Sequence, residues 1–358
     1  SLHTGDKPIL DTPGVVGKLE EISEDAPGSG RKIFRALGRT RVYSKQRTRC
    51  HCLTKLSSDD AAMTTPPPLI FDRCLVRRRL ARAAAAGTEE FLVVHASEEF
   101  RERLSSIKRK FSAVLDAGTP SPWLAARLAD WLRPRLLVRM APLAETAGDA
   151  SLLRFLGDEE SLPLAPECFD LAVSALCLQN LNDLPGALVQ LRRVLKPDGL
   201  FLGCLLGGQS LHELRTALAV AETEIYGGIS PRVAPFADVR DMGGLLQRAG
   251  FALPVADSEP LTVRYADIFG VMADLRAMGA TNALAARLRK PSARGFFLRA
   301  ANIYAERFAD PDGRVRATFE MIFLSGWAPH ESQQKPLPPG SAKLLLADAL
   351  GIKPNPGS

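Results

Sequence analysis

The chain has 358 residues, 46% hydrophobic, 24% charged and 6% aromatic, which is enough for a sizeable core and about two domains. Its six cysteines fall into no spacing that closes a metal site or a disulfide scaffold, and no apolar run is long enough to span a membrane as a helix. With 46 Lys and Arg against 40 Asp and Glu, the net charge of +6 does not by itself demand nucleic acid.

Half of that excess lies in residues 1–60, which hold 11 Lys and Arg and 8 Asp and Glu. Between residues 31 and 55 there are nine basic residues and no acid, with few apolar ones. Burial could not offset the entropy of ordering such a segment, so residues 1–65 are expected not to fold. Three readings fit it: a solvated basic tail, an Arg-rich targeting segment, or an extension foreign to the folded protein that precedes a start at Met63. Cys50, His51 and Cys52 have no second ligand pair and make no zinc site.

After a Thr/Pro linker at 64–68, an Ala- and Arg-rich stretch to about residue 86 is a good helix former. Its arginines Arg77, Arg78, Arg79 and Arg82 read as a solvated or partner-facing side. Phe100, Leu104 and Ile107 keep helical spacing, so 66–110 reads as an N-terminal helical region. Residues 111–118 read as a buried strand ending in a turn, 123–132 as a helix, and 136–138 and 152–156 as short strands. A long apolar run covers 168–178. Leu184, Leu188, Leu191 and Leu195 mark one helix face. In the turn that follows, Pro197 stops the helix and Gly199 supplies a positive φ, and 200–206 is a strand. Ser210 and Glu213 have capping-box spacing for the next helix, which Gly227 and Gly228 end. Helices are expected at 239–250, 268–278, 284–289 and 296–308, strands at 261–265 and 317–327, and a tail at 346–358.

Strands alternating with helices at this spacing mean βαβ units and a parallel sheet covered on both faces. Ligands of such sheets bind beyond the carboxyl ends of the strands. That directs attention to 116–122, 138–142, 157–160 and 174–183.

Phe169-Asp170-Leu171-Ala172-Val173-Ser174 and Val194-Leu195-Lys196-Pro197-Asp198-Gly199 resemble the fourth strand, and the turn before the fifth, of class I S-adenosylmethionine-dependent methyltransferases. Asn182-Asp183-Leu184-Pro185, Gly227-Gly228-Ile229-Ser230-Pro231, Arg248-Ala249-Gly250-Phe251 and Gly326-Trp327 with His330-Glu331-Ser332 resemble one branch. That branch contains the mitochondrial assembly factor of respiratory complex I described as a protein arginine hydroxylase, and its alphaproteobacterial relatives. The resemblance implies an α/β fold: a doubly wound, mostly parallel, seven-stranded sheet with C-terminal helical and strand insertions, over residues 111–345. It implies S-adenosyl-L-methionine as cofactor, with Asp116, Gly118, Asp158, Glu159 and Ser174 as binding residues. Asp183, Asn182 and His330 are the catalytic candidates it leaves.

Several positions depart from the family's pattern. In place of its glycine-rich turn stand Asp116-Ala117-Gly118-Thr119-Pro120-Ser121-Pro122, where one glycine remains and two prolines remove amide donors. Val138-Arg139-Met140-Ala141 offers no carboxylate for a ribose, and Gln179-Asn180 replace the family's His-Trp. These changes leave the cofactor's binding weakened or lost. None of the five histidines has an acid two residues on, the start of a two-His-one-carboxylate iron site. Asp183 also reads as a helix cap, Asp116 as a strand-end cap and Gly118 as a plain turn glycine.

The function implied is that of a methyltransferase-like protein of complex I assembly, modifying an arginine of a respiratory-complex subunit. A non-catalytic assembly protein with a degenerate cofactor motif is the alternative. The partners implied are a protein substrate or complex I subunit, with peripheral membrane association but no transmembrane segment and no nucleic acid. The location is cytoplasmic for a bacterial source and the mitochondrial matrix for a eukaryotic one.

Overall fold

The computed structural model describes residues 69–144 and 152–334. The expectations for residues 1–65, for Cys50, His51, Cys52 and Met63, and for the 346–358 tail lie outside these. Helix α1 (Arg73–Ala86) begins where the Asp72 carboxylate accepts the Leu75 amide at 3.0 Å. Gly87 ends it at φ +95°, and α2 (Phe91–Ser105) buries Leu92, Val93, Ala96, Phe100 and Leu104.

The sheet then builds as expected from the apolar runs. It comprises β1 (Ala113–Ala117), β2 (Leu136–Ala141), β3 (Leu152–Leu156), β4 (Phe169–Ala175) and β5 (Leu195–Leu206), all paired in parallel. Two antiparallel strands complete it, β6 (Ala252–Tyr265) and β7 (Val315–Trp327), in the order β3-β2-β1-β4-β5-β7-β6. The crossovers carry α3 (Trp123–Leu132), α4 (Leu184–Val194), α5 (His212–Tyr226), α6 (Val239–Arg248), α7 (Ile268–Ala277) and α8 (Arg294–Phe308). One apolar layer joins α2, α3, α5, α7 and α8 to one face of the sheet, and a second joins α4 and α6 to the other. The central strands are buried on both faces, which is why they read as unbroken apolar runs.

Four local readings are corrected. The expected turn at 196–199 lies inside β5 as an irregularity in its pairing with β4, and its residue with positive φ is Asp198 (+61°), not Gly199. Gly199 is required for closeness instead, since a Cβ there would lie 2.8 Å from the Lys196 carbonyl. Ser210 and Glu213 form no capping box, because both side chains are taken by β7. The Ser210 hydroxyl pairs with both backbone groups of Glu320, and the Glu213 carboxylate accepts from the Thr318 amide (3.1 Å) and hydroxyl (2.6 Å). Residues 284–289 form no helix; Leu284 instead bridges to Phe71. Strand β6 starts at Ala252, well before the expected residue 261.

Candidate functional site

The connection from β1 runs through α3 to β2 on one side, while β4 lies on the other side of β1. The chain thus reverses its winding between β1 and β4, and a crevice opens at their carboxyl ends, where doubly wound sheets bind ligands. A cavity lies there, lined by Arg73, Gly118, Pro120, Glu159, Cys177 and Asn180 among others.

Asp116 and Arg139 are register partners on β1 and β2. Both side chains are fully buried, and the Arg139 guanidinium donates to the Asp116 carboxylate and to the Thr119 carbonyl (2.9 Å). The Thr119 hydroxyl donates to the same carboxylate at 2.5 Å and accepts the Ala175 amide at 3.2 Å. The β1 turn is therefore tied to β2 and β4 from within. Gly118 follows at φ +79°; a Cβ on it would lie 2.5 Å from Glu159 Cγ and 3.0 Å from Cys177 Sγ. Only glycine permits that approach in that conformation.

Asp158, Glu159 and Glu160 follow β3 and face α1. The Arg73 guanidinium donates to Asp158 at 2.9 Å, to Glu159, and to the Asn180 carbonyl at 3.3 Å, with Glu160 4.0 Å from its Nε. Arg77 adds a contact of 2.6 Å to Asp158. Burial raises the pKa of Asp158, but the Glu160 amide, Arg77 and Arg73 outweigh it and hold the carboxyl below its ordinary value. Burial likewise lowers Arg73, and Glu159 and Asp158 outweigh that, so its pKa is raised.

The other singled-out residues have structural partners. Ser174 Oγ donates to the Ala117 carbonyl at 2.9 Å and lies 3.0 Å from Cys177 Sγ. Burial, then Glu159, pushes the Cys177 thiol well above its ordinary range. Asp183 caps α4 by accepting the Gly186 amide at 2.8 Å. Asn182 accepts the Ile70 and Phe71 amides (2.9 and 2.8 Å), and its own amide donates to Glu160 at 2.5 Å. Of these residues, Gly118 and Glu159 line the cavity; Asp116, Asp158 and Ser174 adjoin it through the contacts above, and the Asn182 and Asp183 amides meet the cluster through the Glu160 carboxylate.

His330 is not among them. Strand β7 runs antiparallel, with Trp327 beside Leu200, so its end reaches the amino ends of the parallel strands. There His330 is exposed, with its ring 2.7 Å from Ser332 Oγ. Arg73, Arg139 and Cys177 escaped sequence reasoning. A lone basic residue inside the 136–141 strand is the one signal that could have flagged Arg139.

The residues do not match what S-adenosyl-L-methionine would ask of this fold. Gly118 and the Asp158–Glu159 pair suit it. The Asp116 carboxylate, however, is held by Arg139 and Thr119, two prolines withhold amides, and buried Met140 and Ala141 stand at the end of β2.

Residues 117–203 match the family described as "Methyltransferase domain". With the sheet order above, this defines a protein of the class I methyltransferase fold. The chain is 36% identical to "Arginine-hydroxylase NDUFAF5, mitochondrial" of Danio rerio over 79% of its own length and 90% of that protein's. It is 38% identical to the Homo sapiens protein of the same name, over 78% and 83% of the two chains. It is also 36% identical to the "Malonyl-[acyl-carrier protein] O-methyltransferase" of a Methylovorus strain, over 73% and 90%. The chain belongs to the family of the arginine-hydroxylase NDUFAF5 proteins. Among the described residues, no helix is long and apolar enough to cross a membrane.

Proposed function

We propose that this chain is a methyltransferase-fold protein of complex I assembly that modifies an arginine side chain on a respiratory-complex subunit. One observation carries the reading: the mouth of the crevice is an acidic cradle in which a guanidinium, that of Arg73, is already held. Two carboxylates and a carbonyl around a planar fork match arginine far better than lysine. The name shared by the Danio rerio and Homo sapiens relatives supports hydroxylation over methylation. In this reading Asp158 and Glu159 orient the acceptor guanidinium, and α1 keeps water from the crevice.

The experiment is incubation or co-expression with candidate respiratory-complex subunits, followed by peptide mass spectrometry. An arginine carrying one extra oxygen supports hydroxylation, and one extra methylene supports methylation. Unmodified arginines throughout overturn the enzymatic reading.

A second reading, a non-catalytic assembly protein, is favoured by the Asp116–Arg139 pair, which occupies the groups that would serve the cofactor. Binding of a subunit without any product supports it. In both readings S-adenosyl-L-methionine binding is weakened. The location we infer is the mitochondrial matrix for a eukaryotic source, in line with the names of the relatives, and the cytoplasm for a bacterial one. Nothing among the described residues supports peripheral membrane association.

A further inference from the structure

We propose that Arg73 is an internal stand-in for the acceptor arginine: its side chain fills the guanidinium cradle at the mouth of the crevice and must vacate it before a substrate enters. The inference rests on the reading of the acceptor as an arginine and adds an autoinhibitory contact to it.

The seat of α1 is the first argument. Of its fourteen residues only Val76 and Ala83 are buried. Beyond it, Gly87 sits at φ +95° with nothing within 4 Å of where a Cβ would be, so no side chain packs the turn that ends the helix. The amino end is fixed independently of Arg73, by Asn182 on the Ile70 and Phe71 amides and by the Asp72 amide on the Ala283 carbonyl at 2.8 Å. The Arg73 side chain can therefore swing out without unseating the segment that carries it.

What Arg73 covers is the second argument. The guanidinium closes against Asp158, Glu159 and the Asn180 carbonyl, and the same cavity is lined by Gly118 and Cys177. An incoming guanidinium would find the same acceptors in the same fork geometry, so exchange replaces one set of charge-assisted bonds by an equivalent set. The internal arginine blocks weak ligands and yields to one that gains further contacts along its peptide.

Cys177 gives the readout: both it and Cys204 are buried, but only Cys177 lines the cavity that Arg73 closes. Iodoacetamide labelling of the full chain, read cysteine by cysteine by mass spectrometry, compares wild type with Arg73→Ala. The expected result is Cys177 labelling about tenfold faster in the variant, with Cys204 unchanged, as local opening without unfolding requires; loss of the Arg73 charge acts in the opposite sense, since that charge favours the thiolate, so a faster rate reports access. Millimolar N-acetyl-arginine amide should slow the variant's Cys177 labelling several-fold, and N-acetyl-lysine amide should not. Unchanged Cys177 labelling, or equal protection by both amides, overturns the proposal. Should Cys204 also label faster, the fold has loosened, and Arg73→Lys is read in its place. A Cys177 rate between wild type and the alanine variant supports the proposal; a wild-type rate overturns it. A positive outcome with no modified arginine on any subunit would leave the stand-in intact and remove the proposed reaction.

Discussion

Arg139 lies beside Asp116 on the adjacent parallel strand, both with no exposed surface, and its guanidinium closes on that carboxylate. Deleting one partner leaves the other charge buried without its counter-ion, a loss of about 3–5 kcal/mol, whereas replacing both by apolar groups is often close to neutral. Arg139→Ala should therefore cost about 3–5 kcal/mol in urea unfolding, and Asp116→Leu with Arg139→Met should recover most of it. Equal losses for the single and double variants would show that the pair does not act as a unit.

The same pair bears on the cofactor. Replacing Pro120 and Pro122 by Gly returns two amides, and Met140→Asp returns a carboxylate at the end of β2. Each restored partner is worth about 1–3 kcal/mol, or roughly five- to 150-fold in affinity. Met140 is fully buried, so the triple variant should be less stable alone than the wild type and regain stability with the ligand. Calorimetric titration with S-adenosyl-L-methionine should give at least about tenfold tighter binding than wild type. No gain in affinity would mean that the turn is not what weakens binding.

These residues also mark how far the sequence could be read. Strands β1, β2, β4 and β5 were visible because burial on both faces leaves continuous apolar runs, while β3, a half-buried edge strand, showed only through its short apolar stretch. The first half of β6 was not: it is an edge strand with alternating exposed residues, and Pro254, Asp257, Glu259 and Pro260 are tolerated where half the surface meets solvent. The capping box failed because β7, distant in sequence, offered Ser210 and Glu213 better partners. The segment 284–289 has helix-forming composition, but its backbone is claimed by Ile70 and Phe71. The crevice could be located from strand ends alone. What fills it could not, because Arg73 reaches Glu159 from 86 positions away.

Gly118 holds the approach of Glu159 to the β1 turn. Gly118→Ala meets Glu159 Cγ and forces a left-handed residue to carry a side chain, so it should cost about 1–3 kcal/mol. Gly118→Ala with Glu159→Ala removes the clash with Glu159 but neither the tight contact with Cys177 Sγ nor the backbone cost, and thermal denaturation should show only partial recovery. Full recovery would mean that φ at this position carries no strain.

Asp158 sets an acid limit on the cradle. Its folded pKa is depressed, so it contributes stability that is present above the unfolded-state value, about 3.9, and is lost as pH falls through the lower folded value. Urea midpoints of the wild type should fall across that window more steeply than those of Asp158→Asn. Parallel curves would show that the ion pairs with Arg73 and Arg77 add nothing to the fold. The side chain is partly open to solvent, so the difference should shrink with added salt.

Asp183 separates capping from chemistry. Its carboxylate accepts the Gly186 amide at the start of α4, so Asp183→Ala should cost about 1 kcal/mol. Asp183→Ser keeps a capping oxygen and should restore most of that stability. If the residue serves only the helix, the serine variant also restores whatever arginine modification the wild type performs. If it touches the acceptor, the serine variant is stable but inactive, because a hydroxyl cannot take up the charge or the proton that a carboxylate can. Unfolding curves and product yield on the same two variants therefore decide the role of a residue that the fold has already used once.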